Sequence, residues 1–131
     1  MKTVLGAVVL VLWVGGALAG DPVEGIWTTR PDDNGNFGQI EIAPCGQALC
    51  GTLIRSFDGG GVALDSENVG KRIVRDMMSQ GGGYYDGGKV WGPDRDKSYT
   101  ANLQLNGSSL AVSGCVLGGL ICRASDWSRV V

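Results

Sequence analysis

Turn signals break this chain so often that no segment beyond residue 20 carries the 3.6-residue apolar period of an amphipathic helix. The sequence has 131 residues and 23 glycines. Asn34-Gly35, Cys45-Gly46, Gly59-Gly60-Gly61, Gly81-Gly82-Gly83, Gly87-Gly88, Asn106-Gly107 and Gly118-Gly119 punctuate it repeatedly, as turn signals between short strands do. Chains divided in this way fold as sandwiches or barrels built from short strands.

Between the breaks the residues alternate. Eight strands are expected, at Gly25–Arg30, Gln39–Ile42, Cys50–Phe57, Lys71–Ser79, Lys89–Trp91, Ser98–Leu105, Leu110–Cys115 and Leu120–Val130. Gln39-Ile40-Glu41-Ile42 has the period of two of a half-buried strand. In the sixth strand Tyr99, Ala101, Leu103 and Leu105 share one face, with Thr100, Asn102 and Gln104 opposite. In the third, the same alternation puts Leu53, Arg55 and Phe57 together. Asp86-Gly87-Gly88 reads as a turn, and Asn106-Gly107 is the strongest hairpin signal in the chain. Every connection is short except residues 58–70, between the third and fourth strands. That pattern favours an antiparallel up-and-down barrel over a Greek key. Closure removes exposed strand edges, and eight strands leave room for side chains or one small ligand.

The first residues stand apart. Lys2 precedes an apolar run from Val4 to Leu18, and Ala17-Leu18-Ala19 fits a signal-peptidase site. The run is shorter than the ~18–20 residues that cross a bilayer. Residues 1–19 are therefore expected to be a cleaved leader, and residues 20–131 a single exported domain, periplasmic or secreted, with no membrane span. The formal net charge is −2, and loss of Lys2 makes it one unit more negative. No basic stripe is available for nucleic acid.

Cys45, Cys50, Cys115 and Cys122 all follow the leader. Four cysteines in an exported domain read as two disulfides, with three possible pairings. Cys45–Cys50 and Cys115–Cys122 are favoured because each pair brackets a short turn-like segment. A zinc site is disfavoured by the spacing and by a sequence without histidine. No metal or other cofactor is expected.

In order, Gly25-Ile26-Trp27, Cys50-Gly51-Thr52-Leu53-Ile54, Gly87-Gly88-Lys89-Val90-Trp91-Gly92-Pro93, Lys97-Ser98-Tyr99, Leu110-Ala111-Val112-Ser113-Gly114 and Trp127-Ser128-Arg129 resemble domain-of-unknown-function family 2147. That resemblance implies an exported bacterial protein with a lipocalin-like β-barrel, and brings no substrate with it. The opening Gly-x-Trp and the late arginine are similar to lipocalins more distantly. There the tryptophan packs across the shut end of the barrel beneath an arginine. On this reading Gly25, Trp27, Trp127 and Arg129 form the clasp of the closed end.

Catalytic chemistry finds little support. Without histidine there is no Ser-His-Asp or Cys-His pair, and the carboxylates fall on turns and strand exteriors with no shared pocket implied. The expected function is non-catalytic binding of an apolar or amphipathic small molecule in the barrel mouth. Phe57, Tyr84, Tyr85, Trp91 and Tyr99 are the aromatic candidates, and the 58–70 loop is the candidate lid. Arg55 and Arg123, if they face inward, are candidates for holding a carboxylate or phosphate. The alternative is a cell-envelope module with a filled barrel that docks a protein partner. A hydrolase of unfamiliar type is a third option.

Overall fold

The computed structural model describes residues 20–93 and 95–131; the leader expected at residues 1–19 lies outside them. The described residues form nine strands: β1 (Gly25–Thr28), β2 (Phe37–Cys45), β3 (Ala48–Phe57), β4 (Ala63–Leu64), β5 (Arg72–Ser79), β6 (Tyr84–Gly92), β7 (Lys97–Asn106), β8 (Ser109–Val116) and β9 (Ile121–Arg129). Eight of them close an antiparallel barrel in the order β1-β2-β3-β5-β6-β7-β8-β9, with β9 returning to β1. The two-residue β4 pairs only with the end of β3. This is the up-and-down barrel expected from the turn spacing.

An up-and-down path puts alternate connections at opposite ends. Residues 20–24 and the β2–β3, β5–β6 and β7–β8 turns lie at one end. The 29–36, 58–71, 93–96 and 117–120 connections lie at the other. The first end is shut. Val23 and Trp27 are fully buried, and the Trp27 indole donates to the Val23 carbonyl at 2.9 Å. Arg129 stacks on the Trp27 ring and donates to the carbonyls of Glu24 and Pro22. Trp27 and Arg129 meet because the first and last strands pair there, one residue opposite the other.

The lower interior is solid. Ile40, Ile42, Val74, Met77, Tyr85, Leu103 and Leu110 are almost completely buried around Trp27. Each comes from the inward phase of its strand, as the period of two demands. The disulfides are Cys45–Cys50, across the β2–β3 hairpin at the shut end, and Cys115–Cys122, beneath the β8–β9 turn at the other.

Two bulges change the phase of a strand. In β3, Leu53 faces Ile40 and Arg55 faces Gln39, so Ile54 is an extra residue with no partner on β2. An extra residue reverses the alternation beyond it. Arg55 and Phe57 consequently leave the face shared with Leu53. Arg55 is exposed and donates to Gln39 Oε1 at 3.0 Å, while Phe57 stacks on Phe37 with ring centroids 5.1 Å apart. In β6, the register against β7 shifts between Tyr85 and Gly88. What reads as an Asp-Gly-Gly turn is therefore a bulge inside a nine-residue strand. Only glycine fits at 88, because a Cβ there would come within 2.1 Å of the Arg75 carbonyl oxygen.

Candidate functional site

Above the packed layer the barrel opens into a cavity of about 620 Å³. The last four strands build its wall. Val90 of β6, Tyr99 of β7, Val112, Gly114 and Val116 of β8, and Ile121, Arg123, Ser125 and Trp127 of β9 line it, with Trp91, Gly92 and Arg95 at the rim. Trp127, only 5% exposed, is the floor. Expected to belong to the clasp, this residue instead stands one strand position above it and separates the solid half from the open half.

The cavity exists because its wall carries small residues where bulk would fill it. Gly114 faces Tyr99 and Val90 with no side chain of its own; a Cβ there would make ordinary 3.4 Å contacts to both. Ser125 occupies the inward position between Arg123 and Trp127. These residues leave a pocket in a barrel that is otherwise closely packed.

The lining is mostly apolar, and its two charged groups are both arginines. Arg123 points inward, along the phase set by Trp127 and Ser125, and makes no hydrogen bond to another described residue. Arg95 stands across the rim. Among the described residues no carboxylate lines the cavity. The nearest acidic neighbour of the rim aromatics, Asp96, accepts a hydrogen bond from Trp91 Nε1 at 2.9 Å. The Lys71 ammonium lies over the face of that indole, 5.3 Å from the ring centroid. Trp91 is thus fixed at the rim by a hydrogen bond and a cation–π contact.

Of the seven candidate ligand residues, the structure brings Trp91, Tyr99 and Arg123 together and leaves the other four elsewhere. Arg55 and Phe57 are turned outward by the β3 bulge. Tyr84 starts β6 at the shut end, half-buried and away from the cavity. Tyr85 is 1% exposed at that same end, where its hydroxyl donates to the Asp21 carboxylate. Burial first, and the bond to Asp21 second, push its phenol well above the ordinary range. The 58–70 loop contributes no lining residue, so it is not placed as a lid. Sequence reasoning missed Val112, Gly114, Ser125 and the floor role of Trp127. The alternation Arg123-Ser125-Trp127 was the signal available for the last two.

Cys45, Cys50 and Asp76 lie close enough for their ligand atoms to fall within 4.8 Å of one another. The two sulfurs are bonded to each other, so neither is a thiolate ready for a metal.

A solved structure from Helicobacter pylori, protein HP1028, described as belonging to the lipocalin family, has a similar fold. Its TM-score is 0.69 at 16% identity, over 86% of this chain and 85% of that one. No curated protein matches the chain. The family described as an uncharacterized protein conserved in bacteria matches residues 25–129, from the first strand of the barrel to the arginine of the clasp. With its whole barrel covered, the chain belongs to domain-of-unknown-function family 2147.

Proposed function

We propose that this protein is an exported, non-catalytic carrier or receptor for a small amphipathic molecule. The observation that carries the reading is the cavity of about 620 Å³. Its size lies within the ~300–1,000 Å³ of typical small-molecule sites. Its apolar wall takes the body of the ligand, with Trp127 beneath it and Tyr99 beside it. Arg123 and Ser125 supply the few polar groups that fix orientation. With two arginines and no described carboxylate in the lining, the polar end of the ligand is an acid, held by the guanidinium fork. Two disulfides support an oxidising compartment. Among the described residues no helix is long and apolar enough to cross a membrane. The filled-barrel alternative calls for a packed interior, and the open upper half weighs against it.

The test is titration with a fluorescent fatty-acid probe. Wild type is expected to bind it. Ser125→Leu, which extends the apolar floor into the void, is expected to lower affinity at least about tenfold, and Arg123→Ala to weaken an acidic probe but not its methyl ester. Equal binding of acid and ester by wild type and Arg123→Ala would remove the arginine from the site. Unchanged binding in Ser125→Leu would remove the cavity.

A further inference from the structure

The β8–β9 turn is an apolar projection on the rim of the open end. Leu117 and Leu120 are 69% and 84% exposed. Val116 and Ile121, 41% and 53% exposed, carry the same surface down into the cavity, whose wall they form. Surface turns ordinarily present glycine, asparagine or serine. Here four aliphatic side chains stand in a row on the outermost point of a hairpin.

This tip is held in shape. Cys115–Cys122 ties the two strands directly beneath it, and the Leu120 amide donates to the Leu117 carbonyl at 3.3 Å. Gly118 and Gly119 take positive φ, and so does Leu117 at 54°, a conformation that bulky residues seldom adopt. The turn keeps its leucines in water although its backbone has to accommodate one of them in the left-handed region.

Cations share this rim. Arg123 stands two residues into β9 from the tip, and Arg95 lies in the turn at the other side of the cavity mouth. Lys71 and Arg72 extend the positive side toward β5. The described carboxylates of this end are arranged differently. Asp32 and Asp58 accept from amides of their own loops, and Asp96 accepts from Trp91. Asp33, Asp65 and Glu67 sit on the 29–36 and 58–71 connections, which also carry Arg30 and Lys71. The side of the mouth formed by β6 to β9, with the tip, Arg95 and Arg123, is thus apolar and basic, and the other side carries charges of both signs.

We propose that the basic side of the mouth docks on an anionic lipid surface, with Leu117 and Leu120 among the acyl chains and Arg95 and Arg123 at headgroup level. Aliphatic side chains below a row of cations match the layering of an anionic leaflet. A second copy of the chain fits less well. Stable protein interfaces bury roughly 800 Å² on each partner, and a convex tip of four side chains offers much less. A lipid surface accepts a convex tip without a matching hollow. Because Val116 and Ile121 belong to both tip and cavity, an amphipathic molecule could pass from bilayer to barrel along continuous apolar surface. That last step rests on the proposed function; the docking does not.

The test is flotation of the mature protein with vesicles of phosphatidylcholine alone or mixed with phosphatidylglycerol. Wild type is expected to float with the mixed vesicles, less so at high salt. Leu117→Ser/Leu120→Ser is expected to lower partitioning at least about tenfold. Val62→Ser/Val69→Ser, which alters exposed residues on the opposite connection, is expected to float as wild type does. Titration of the tip variant with the fatty-acid probe checks that its barrel is intact and keeps docking separate from cavity binding. The proposal is overturned if wild type does not float, or if the tip variant floats equally well. It is also overturned if both double variants lose flotation alike, or if sedimentation shows a dimer that only the tip variant abolishes.

Discussion

The hydroxyl of Tyr85 donates to the carboxylate of Asp21, joining the start of β6 to the lead-in 64 residues earlier. The phenol is buried among Trp27, Leu103 and the other side chains of the lower core. Its pKa is raised above the ordinary value, so the folded state favours the protonated form. The stability this contributes is fully present below about pH 10, the ordinary phenol value. It is lost as pH rises above that toward the folded value, by up to ~1.4 kcal/mol per pH unit. Urea unfolding between neutral and alkaline pH is expected to show this slope in wild type and a shallower one in Tyr85→Phe. Near neutrality the variant is expected to lose about 1 kcal/mol, the typical worth of one hydrogen bond.

Arg129 lies 4.4 Å from the centroid of the Trp27 ring and donates to two carbonyls of the lead-in. Arg129→Ala removes the cation–π contact and leaves those carbonyls to find water. A loss of about 2–3 kcal/mol is expected, measured by chemical denaturation. Arg129→Lys is expected to recover only part of it, since an ammonium cannot keep the planar stack and both bonds. Probe binding should be unchanged in the folded fraction of either variant, because the cavity lies above the clasp.

Gly88 is expected to be the least tolerant glycine of the barrel. A Cβ would fall 2.1 Å from the Arg75 carbonyl oxygen and 2.9 Å from the Asp76 carbonyl carbon, and these are backbone atoms that cannot rotate away. Gly88→Ala should cost ~3 kcal/mol or more, above the usual range for overpacking. Gly114→Ala, with ordinary 3.4 Å contacts, should change stability by less than about 1 kcal/mol. Expression and thermal unfolding of the pair separate the two environments.

The disulfides should open in a fixed order under an anionic thiol such as glutathione. Cys122 is exposed and leaves its sulfur accessible. Cys50 is buried, and the Asp76 carboxylate lies within 4.8 Å of the Cys45 and Cys50 sulfurs, where it repels an approaching thiolate. Mass mapping after timed alkylation should find Cys115 and Cys122 modified first. Each bridge closes a short loop, worth about 2–2.5 kcal/mol in the chain-entropy picture. Asp76→Asn, which tolerates the left-handed backbone at this position, is expected to speed reduction of Cys45–Cys50.

Much of this architecture was readable because it is written in local chemistry. Glycine clusters marked the turns, and alternation in Tyr99-Ala101-Leu103-Leu105 marked the inward face of β7. Proximity in sequence favoured the correct disulfide pairing. What escaped was the effect of a single inserted residue. Leu53, Arg55 and Phe57 alternate perfectly on paper, and the bulge at Ile54 is set by pairing with Gln39 and Ile40, information that lies on another strand. Gly87-Gly88 carries the chemistry of a turn, yet the chain uses it to bring β6 against β5. The cavity was hardest to foresee, since a void depends on what several distant positions lack. Arg123 could be named as a candidate, but Gly114 and Ser125 gave no sign that they lie side by side on β8 and β9 and leave the same wall without bulk.

The β1–β9 seam consists of two residue pairs, Trp27 with Arg129 and Thr28 with Ser128, drawn from the first and last strands of the barrel. A nascent chain that stops before Trp127 is a curled sheet with two bare edges, missing floor, clasp and closure at one stroke. Such edges recruit other strands, so truncated products are expected to aggregate. Closure of that seam thus decides solubility: Trp127, Ser128 and Arg129 turn an adhesive ribbon into a cup.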